Sequence, residues 1–254
     1  MTIQIQDTIA LVTGANRGIG RALVEALLER GAKKVYATAR RPDALDDLVV
    51  RFGDRVTPLR LDVTRPGEVR AVAAQASDVR LLINNAGVLA KLGGDFTEPL
   101  WLETAREEFE VNVLGAWSLT QAFAPVLGQW PGAAVVNVSS VAGLAGLPAA
   151  ASYSLSKAAL HSLTQVARAA LAPRGIHVAG VYPGPVDTDM AKSFPIDKTS
   201  PSEAARAILD GIEAGQEEIF PDPMSRQLGE LFLRDPKAVE RQLNATVAAN
   251  VTSG

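Results

Sequence analysis

The 254-residue sequence has no cysteine, which excludes disulfide bonds, thiolate metal sites and a cysteine nucleophile. Its two histidines, His161 and His177, are too few for a histidine-based metal site, so we expect no resident metal. A formal charge of −3 gives no general attraction to nucleic acids or anionic membranes. No apolar run reaches the ~18 residues of a membrane span, and MTIQIQDTIALVTG lacks the pattern of a secretory signal. We therefore expect a cytoplasmic protein without nucleic-acid or membrane partners.

The sequence does contain a regular alternation of short apolar runs and helical patterns. Strand-like runs lie at residues 8–13, 34–38, 55–61, 80–84, 133–139, 175–182 and 217–220. Helical patterns lie at residues 18–30, 43–52, 66–76, 100–128, 152–172 and 200–215, and from residue 224 onward. Apolar strands alternating with helices predict an α/β fold, with a doubly wound parallel sheet covered by helices on both faces. No linker divides the chain, so one domain is predicted over residues 1–254.

A cluster of glycines follows the first predicted strand. TGANRGIG, residues 13–20, places Gly14, Gly18 and Gly20 between that strand and the next helix. At such a turn the backbone bends sharply and a pyrophosphate can approach the N-terminus of the helix, where a Cβ atom would obstruct it. The pattern predicts a dinucleotide site, although a simple β–α turn can have the same composition.

The next strand indicates which nicotinamide cofactor is preferred. An acidic residue about 20 positions after the glycines would bind a ribose 2′-hydroxyl and select NAD. This sequence has Ala39 and Arg40 there, and Arg17 lies inside the glycine cluster. Charge-assisted hydrogen bonds to a 2′-phosphate contribute roughly 1.5–3 kcal/mol each. We predict that Arg17 and Arg40 favour NADP(H) over NAD(H); the alternative is that both are solvated surface charges.

A tyrosine and a lysine are spaced for proton chemistry. In ASYSLSK, residues 151–157, Tyr153 and Lys157 are four positions apart near a helix start, so both face the same way. Lowering a tyrosine pKa from ~10 to ~7 needs ~4 kcal/mol. An ammonium ~4–5 Å away offers ~3–4 kcal/mol at an effective dielectric of ~20. The spacing predicts that Lys157 lowers the pKa of Tyr153, although a surface pair would look the same.

Further motifs follow the later predicted strands, in a consistent order and spacing with the glycine cluster and the Tyr153–Lys157 pair. NNAG occupies residues 84–87, Ser140 lies thirteen residues before Tyr153, and YPGPVDT occupies residues 182–188. With TGANRGIG and YSLSK, this set resembles the short-chain dehydrogenase/reductase family, in the branch with subunits of about 250 residues. The resemblance covers residues 7–190. It implies a single Rossmann-type domain with a seven-stranded parallel sheet and an active site at the carboxyl ends of the strands.

The resemblance also implies roles for individual residues. Asn112, Ser140, Tyr153 and Lys157 match the catalytic tetrad, with Tyr153 as general acid and base and Asn112 ordering water near Lys157. For the cofactor, the match implies that Gly14, Gly18 and Gly20 line the pyrophosphate and that Asn16 helps to hold the loop. It implies that Asp62 binds the adenine, that Asn84 and Ala86 pack against the adenosine ribose, and that the nicotinamide is held by Pro183, Gly184, Val186 and Thr188. The other matched cofactor positions are Ile19, Val63, Gly87, Tyr153 and Lys157.

These features together predict an NADP(H)-dependent oxidoreductase that interconverts a ketone or aldehyde with an alcohol. The cofactor exchanges the hydride and Tyr153 the proton. Two alternatives stay open: a regulatory protein that senses NADP(H) without turnover, and a sugar-nucleotide epimerase or dehydratase on a related fold. Loss of Tyr153 or Lys157 would favour the first, and both are present. The short segment after residue 185 argues against the second.

Three segments are expected to select the substrate: residues 141–152, 90–96 and 185–200. VAGLAGLPAAAS, residues 141–152, has no charged side chain and several small ones, which predicts an apolar, fairly roomy pocket for ketones or secondary alcohols. Lysines in the other two segments could bind a carboxylate or phosphate group, so a charged substrate is an open alternative. The irregular segment 185–200 is predicted to be a mobile lid. Relatives commonly assemble through helices that match 100–128 and 152–172, so we expect a homodimer or homotetramer, with a tail at 224–254 longer than many relatives carry.

Overall fold

A computed structural model of the protein describes residues 3–193 and 196–251, so Phe194 and Pro195 of the predicted lid and residues 252–254 of the predicted tail lie outside the described residues. Seven strands form one parallel sheet. The strands are β1 (Ile9–Val12), β2 (Lys34–Ala39), β3 (Val56–Arg60), β4 (Leu81–Asn84), β5 (Ala134–Val138), β6 (His177–Val181) and β7 (Glu218–Ile219). Each lies within or next to a predicted run, so the predicted fold class is confirmed.

The helices also follow the predicted pattern. They are α1 (Gly18–Glu29), α2 (Asp46–Phe52), α3 (Pro66–Gln75), α4 (Leu100–Phe109), α5 (Ala116–Leu127), α6 (Ala151–Leu171), α7 (Pro201–Glu213), α8 (Pro223–Arg234) and α9 (Pro236–Val251). The long predicted helical region at 100–128 is two α-helices joined by a π-helical segment, Glu110–Gly115. Among the described residues, none of these helices has both the length and the apolar character needed to span a bilayer.

The sheet separates two apolar cores because successive side chains of a strand point to opposite faces. Ala10 and Val12 of β1 pack with α1, α2 and α7, whereas Ile9 and Leu11 pack with α3, α5 and α6. Both faces of the central strands are therefore buried, which is the reason that their sequences read as continuous apolar runs. Ser200 caps α7 with a capping box to Glu203, as SPSE at residues 200–203 suggests.

The strand order β3-β2-β1-β4-β5-β6-β7 determines where a site can form. The chain runs outward from β1 to one edge and then crosses back to continue from β4 to the other edge. The connections after β1 and β4 therefore diverge, and a crevice opens between them at the carboxyl ends of the strands. A third, smaller core of Val141, Tyr182, Leu228 and Val239 packs α8 and α9 against the segments that follow β5 and β6.

Candidate active site

The glycine cluster forms a tight loop between β1 and α1. Gly14 and Gly18 have φ of 63° and 55°, in the left-handed region that favours glycine, and a Cβ on Gly20 would collide with the Gly14 carbonyl oxygen. Arg17 is the N-cap of α1, and its side chain makes no capping hydrogen bond. The amide groups of the first turn are thus left without a side-chain cap, and this cradle suits the pyrophosphate of a dinucleotide.

Two polar side chains that the sequence analysis missed hold this loop in place. Thr13 Oγ1 accepts the backbone N–H groups of Asn85 and Ala86, both at 2.9 Å. The Asn85 side chain donates in return to the carbonyl oxygens of Thr13 at 2.8 Å and Gly14 at 3.3 Å. The sequence cue for Asn85 was its place as the second asparagine of NNAG. In the structure its side chain faces the glycine loop.

The side chain of Asn84 lies inside the protein, and the contact of this residue with the adenosine ribose stays a prediction. Its side chain is buried and donates to Asn137 Oδ1 at 2.9 Å and to Thr120 Oγ1 at 3.2 Å. These bonds tie β4 to β5 and α5 inside the protein. The backbone of Asn84 and the partly exposed Ala86 and Gly87 are the parts of NNAG that lie at the crevice.

The predicted adenine and 2′-phosphate end of the crevice contains Arg40 and Asp62. Arg40 is exposed directly after β2. Burial opposes ionisation of Asp62, but hydrogen bonds from Thr64 and the charges of Arg65 and Arg40 outweigh it and lower the pKa of the carboxyl. Asp62 therefore stays an ionised acceptor beside Arg40. Val63 is buried beneath the π-helical segment, where a Cβ on Gly115 would lie 2.7 Å from its Cγ2.

The structure brings Ser140, Tyr153 and Lys157 together. Tyr153 lies in the first turn of α6 and Lys157 one turn later, with its Nζ 5.6 Å from the Tyr153 ring centroid. That Nζ donates to the Val138 carbonyl oxygen at 2.8 Å. The Ser140 side chain hydrogen-bonds Tyr153, and its Oγ accepts the Ala142 N–H at 3.2 Å.

The pKa of Tyr153 is raised and not lowered as predicted, and Lys157 is not among the causes of the shift. Burial raises the pKa of Tyr153 to about 12, and the Ser140 hydrogen bond only partly offsets this. Burial likewise lowers the pKa of Lys157 to about 8. The physical reason is that loss of water penalises both charged forms, and the Lys157 ammonium is directed at a carbonyl oxygen. At neutral pH the site therefore holds a protonated phenol.

Asn112, the fourth tetrad residue, lies in the π-helical segment and faces the chain after β4. Its Oδ1 accepts the Val88 N–H at 2.8 Å, and its Nδ2 donates to the Val88 carbonyl at 3.0 Å and to Ser156 Oγ at 2.9 Å. A Cβ on Gly87 would lie 3.2 Å from Asn112 Oδ1 and 3.4 Å from Lys157 Nζ, so all three groups meet at one point. Asn112 thus fixes the strand-end backbone next to Lys157.

The segment after β6 closes the opposite side of the crevice. Pro183 and Val186 are buried, and a Cβ on Gly18 would lie 3.0 Å from Thr188 Cγ2, so this segment touches the glycine loop. The Gly184 N–H donates to Asp222 Oδ2 at 2.7 Å. Asp222 is a buried side chain that the sequence analysis did not identify, since nothing in DPMS distinguishes a helix cap from a loop support.

Two of the three predicted specificity segments come together. Gly93 N–H donates to the Ala149 carbonyl at 2.7 Å, which joins the segment at 90–96 to that at 141–152. Lys91 is paired with Glu98 at 3.0 Å and lies 5.0 Å from the Trp101 ring centroid. In the lid segment, Asp189 pairs with Arg17 at 3.2 Å, so an exposed ion pair links the lid to the glycine loop.

Comparison with known proteins agrees with this geometry. The family model for short chain dehydrogenase matches residues 8–199. The chain is 31% identical over 244 residues to the 3-oxoacyl-[acyl-carrier-protein] reductase FabG of Vibrio cholerae serotype O1, with 93% of each protein covered. A short chain dehydrogenase from Burkholderia cenocepacia J2315, solved in complex with NADP, is 40% identical with a TM-score of 0.87, covering 95% of this chain and 99% of that one.

A more distant solved structure shares the fold. A 3-ketoacyl-(acyl-carrier-protein) reductase from Brucella melitensis, complexed with NADH, has a TM-score of 0.76 at 24% identity, covering 85% of this chain and 97% of that one. The family match spans the glycine loop and the residues Asn112, Ser140, Tyr153 and Lys157. The chain therefore belongs to the short-chain dehydrogenase/reductase family of oxidoreductases, whose fold binds a nicotinamide cofactor.

Proposed function

We propose that the protein is an NADP(H)-dependent oxidoreductase that interconverts a carbonyl compound and an alcohol, with Tyr153 as the general acid and base. The observation that carries the proposal is the meeting of Ser140, Tyr153 and Lys157 at the strand ends, across the crevice from the glycine loop. NADP(H), when bound, donates or accepts the hydride. The protein's own residues must then bind the substrate oxygen and exchange its proton.

Each tetrad residue has a role that its contacts support. The Tyr153 phenol, protonated at neutral pH, donates a proton to the substrate oxygen in the reductive direction. The Ser140 hydroxyl, already hydrogen-bonded to Tyr153, is placed to bind the same oxygen and stabilise developing charge. Lys157 is held by Val138 and Asn112 by Val88, so both side chains are preorganised beside the strand ends.

The preference for NADP(H) rests on charge at the end of β2. Ala39 is followed by two exposed arginines, Arg40 and Arg41, where a carboxylate would bind a 2′-hydroxyl. Arg17 adds a third guanidinium from the glycine loop. The 40% identical Burkholderia protein was solved with NADP, which supports the same preference here.

The substrate is proposed to be largely apolar. The segment at residues 141–152 carries no charged side chain, and Lys91, in the segment at 90–96, is already paired with Glu98. A 3-oxoacyl thioester is one candidate, because the Vibrio relative is named for a substrate of that kind.

A homo-oligomer is proposed from exposed apolar side chains on the helices. Leu102 of α4, Trp117 of α5 and Val166 of α6 are 66%, 46% and 61% exposed. These helices are the ones predicted to assemble. Covering them with a second copy of the chain would remove their apolar surface from water.

A panel of ketones and aldehydes that includes a 3-oxoacyl thioester tests the function, with NADPH and NADH loss followed by absorbance. We expect kcat/KM at least about tenfold higher with NADPH, and a reversal toward NADH in Arg40→Asp, since one charge-assisted bond of roughly 1.5–3 kcal/mol is lost. Arg174 is exposed and lies before β6, at the other end of the strands. Arg174→Asp is therefore the control and should keep the preference for NADPH. Cofactor binding without turnover of any panel member would favour the NADP(H)-sensing alternative.

A further inference from the structure

One buried carboxyl lies beside the tetrad without belonging to it. Glu108, in α4, is 0% exposed, and its Oε1 accepts the Ala90 N–H at 2.7 Å. Asn112, one helical turn later, holds Val88 in the same way. The two side chains therefore fix neighbouring points of the segment that runs from β4 past Lys157.

A positive charge near Glu108 would stabilise its buried carboxylate. Its Oε2 is buried and has no hydrogen-bond partner among residues 3–193 and 196–251. A buried carboxylate with an unpaired oxygen is costly unless a cation compensates it. Burial raises the pKa of Glu108. Hydrogen bonds from Ser152 and the Ala90 N–H oppose this shift most, the charge of Glu107 adds to it, and the charge of Lys157 opposes it. Lys157 is itself 3% exposed, so water screens the interaction between the two groups poorly.

The ionisable groups around Glu108 are few. Tyr153 and Lys157 face it from α6, and Glu107 is its exposed neighbour on α4. Lys91, on the segment beyond Ala90, is engaged by Glu98. Burial causes the main pKa shifts of Tyr153 and Lys157, and the charge of Glu108 then raises the pKa of both. One carboxylate thus favours the ammonium of Lys157 and the neutral phenol of Tyr153.

We propose that Glu108 is a positioning residue of the active site, whose carboxylate holds the segment after β4 and keeps Lys157 charged beside Tyr153. It acts through Lys157 and not on the substrate. The inference rests on the proposed function, in which a cationic Lys157 supports proton exchange by Tyr153. Without Glu108, Lys157 would lose its proton at a lower pH.

The substitution Glu108→Gln isolates the charge, because the amide oxygen can still accept the Ala90 N–H. We expect the alkaline limb of the kcat/KM profile, for NADPH and the best ketone of the panel, to move about one pH unit lower. Glu107→Gln makes the same change at an exposed site one residue away, and its limb should stay at the wild-type position. An unmoved limb in Glu108→Gln, or equal shifts in the two variants, overturns the proposal.

A double-mutant cycle of Glu108→Gln and Lys157→Met, read by chemical denaturation, needs no turnover. At about pH 7 we expect the double variant to be more stable than the two single changes predict together. At about pH 10 this coupling should vanish, because burial lowers the pKa of Lys157 to about 8 and the amine is then neutral. Coupling without turnover would refute the oxidoreductase and leave the link between Glu108 and Lys157 standing. Turnover with no coupling at either pH would refute that link.

Discussion

At the scale of single residues, burial and charge compete in the Tyr153–Lys157 pair. The spacing of the two residues correctly predicted that they would lie on one face of a helix, within reach of each other. It could not predict the loss of water around them, which depends on the strands and on α4 closing over the site. Burial raises the pKa of Tyr153, so the phenol is held as an acid, the form that reduction requires.

The same burial predicts that Lys157 is destabilising near neutral pH. Burial lowers its pKa from 10.5 to about 8, so the folded state favours the neutral amine more than the unfolded chain does. The cost is complete below about pH 8 and is relieved as the pH rises toward about 10.5. The effect of Lys157→Met on the free energy of unfolding should therefore be more favourable at about pH 7 than near pH 10.5, by about 3 kcal/mol for a shift of this size.

Chemical denaturation across this pH range measures the effect. Lys33→Met, at an exposed lysine, is the matched control and should change stability little at any pH. A stability change in Lys157→Met that is the same at pH 7 and pH 10.5 would show that the amine is not a buried charge.

At the scale of elements, Asp222 joins α8 to the segment after β6. It is 1% exposed, its Oδ1 accepts the Ser225 N–H at 2.9 Å as the cap of α8, and its Oδ2 accepts the Gly184 N–H at 2.7 Å. One carboxylate thus satisfies two backbone donors from different elements. Through it, the C-terminal helices support a segment that is predicted to hold the nicotinamide.

Asp222→Ala would leave both donors without their acceptor. We expect a loss of about 2–4 kcal/mol in the free energy of unfolding and a weaker affinity for NADPH, measured by denaturation and by fluorescence titration. Ser200→Ala removes the exposed cap of α7 and is the comparison: it should cost about 1 kcal/mol and leave NADPH affinity unchanged. Equal effects on NADPH affinity in the two variants would mean that Asp222 is only a helix cap.

The π-helical segment shows what an element-level pattern cannot reveal. The apolar spacing around EVNVLG, residues 110–115, fits a continuous helix and predicted one. The wider turn coincides with tertiary contacts of Asn112 to Val88 and Ser156, and with close packing of Gly115 on Val63. Such segments occur frequently at functional sites, and this one carries a tetrad residue.

At the scale of the whole molecule, the strands and helices were predictable because each has its own periodicity and clear end signals. Their shared carboxyl edge followed from the parallel sheet, so the position of the glycine loop, Tyr153 and Lys157 at one edge of the sheet was predictable too. Glu108 and Asp222 were not, because an isolated acidic residue in a helix or turn has no sequence signal for burial. The single domain over residues 1–254 and the mobile lid stay predictions.

The central claim is that the Tyr153 hydroxyl transfers the substrate proton. The most direct measurement is kcat/KM of Tyr153→Phe with NADPH and the best ketone of the panel, alongside the Kd of the variant for NADPH. We expect a fall of at least about 10³-fold in kcat/KM, since general acid catalysis contributes about 10²–10⁴-fold, with a nearly unchanged Kd. Retention of more than about a tenth of the wild-type kcat/KM would contradict it.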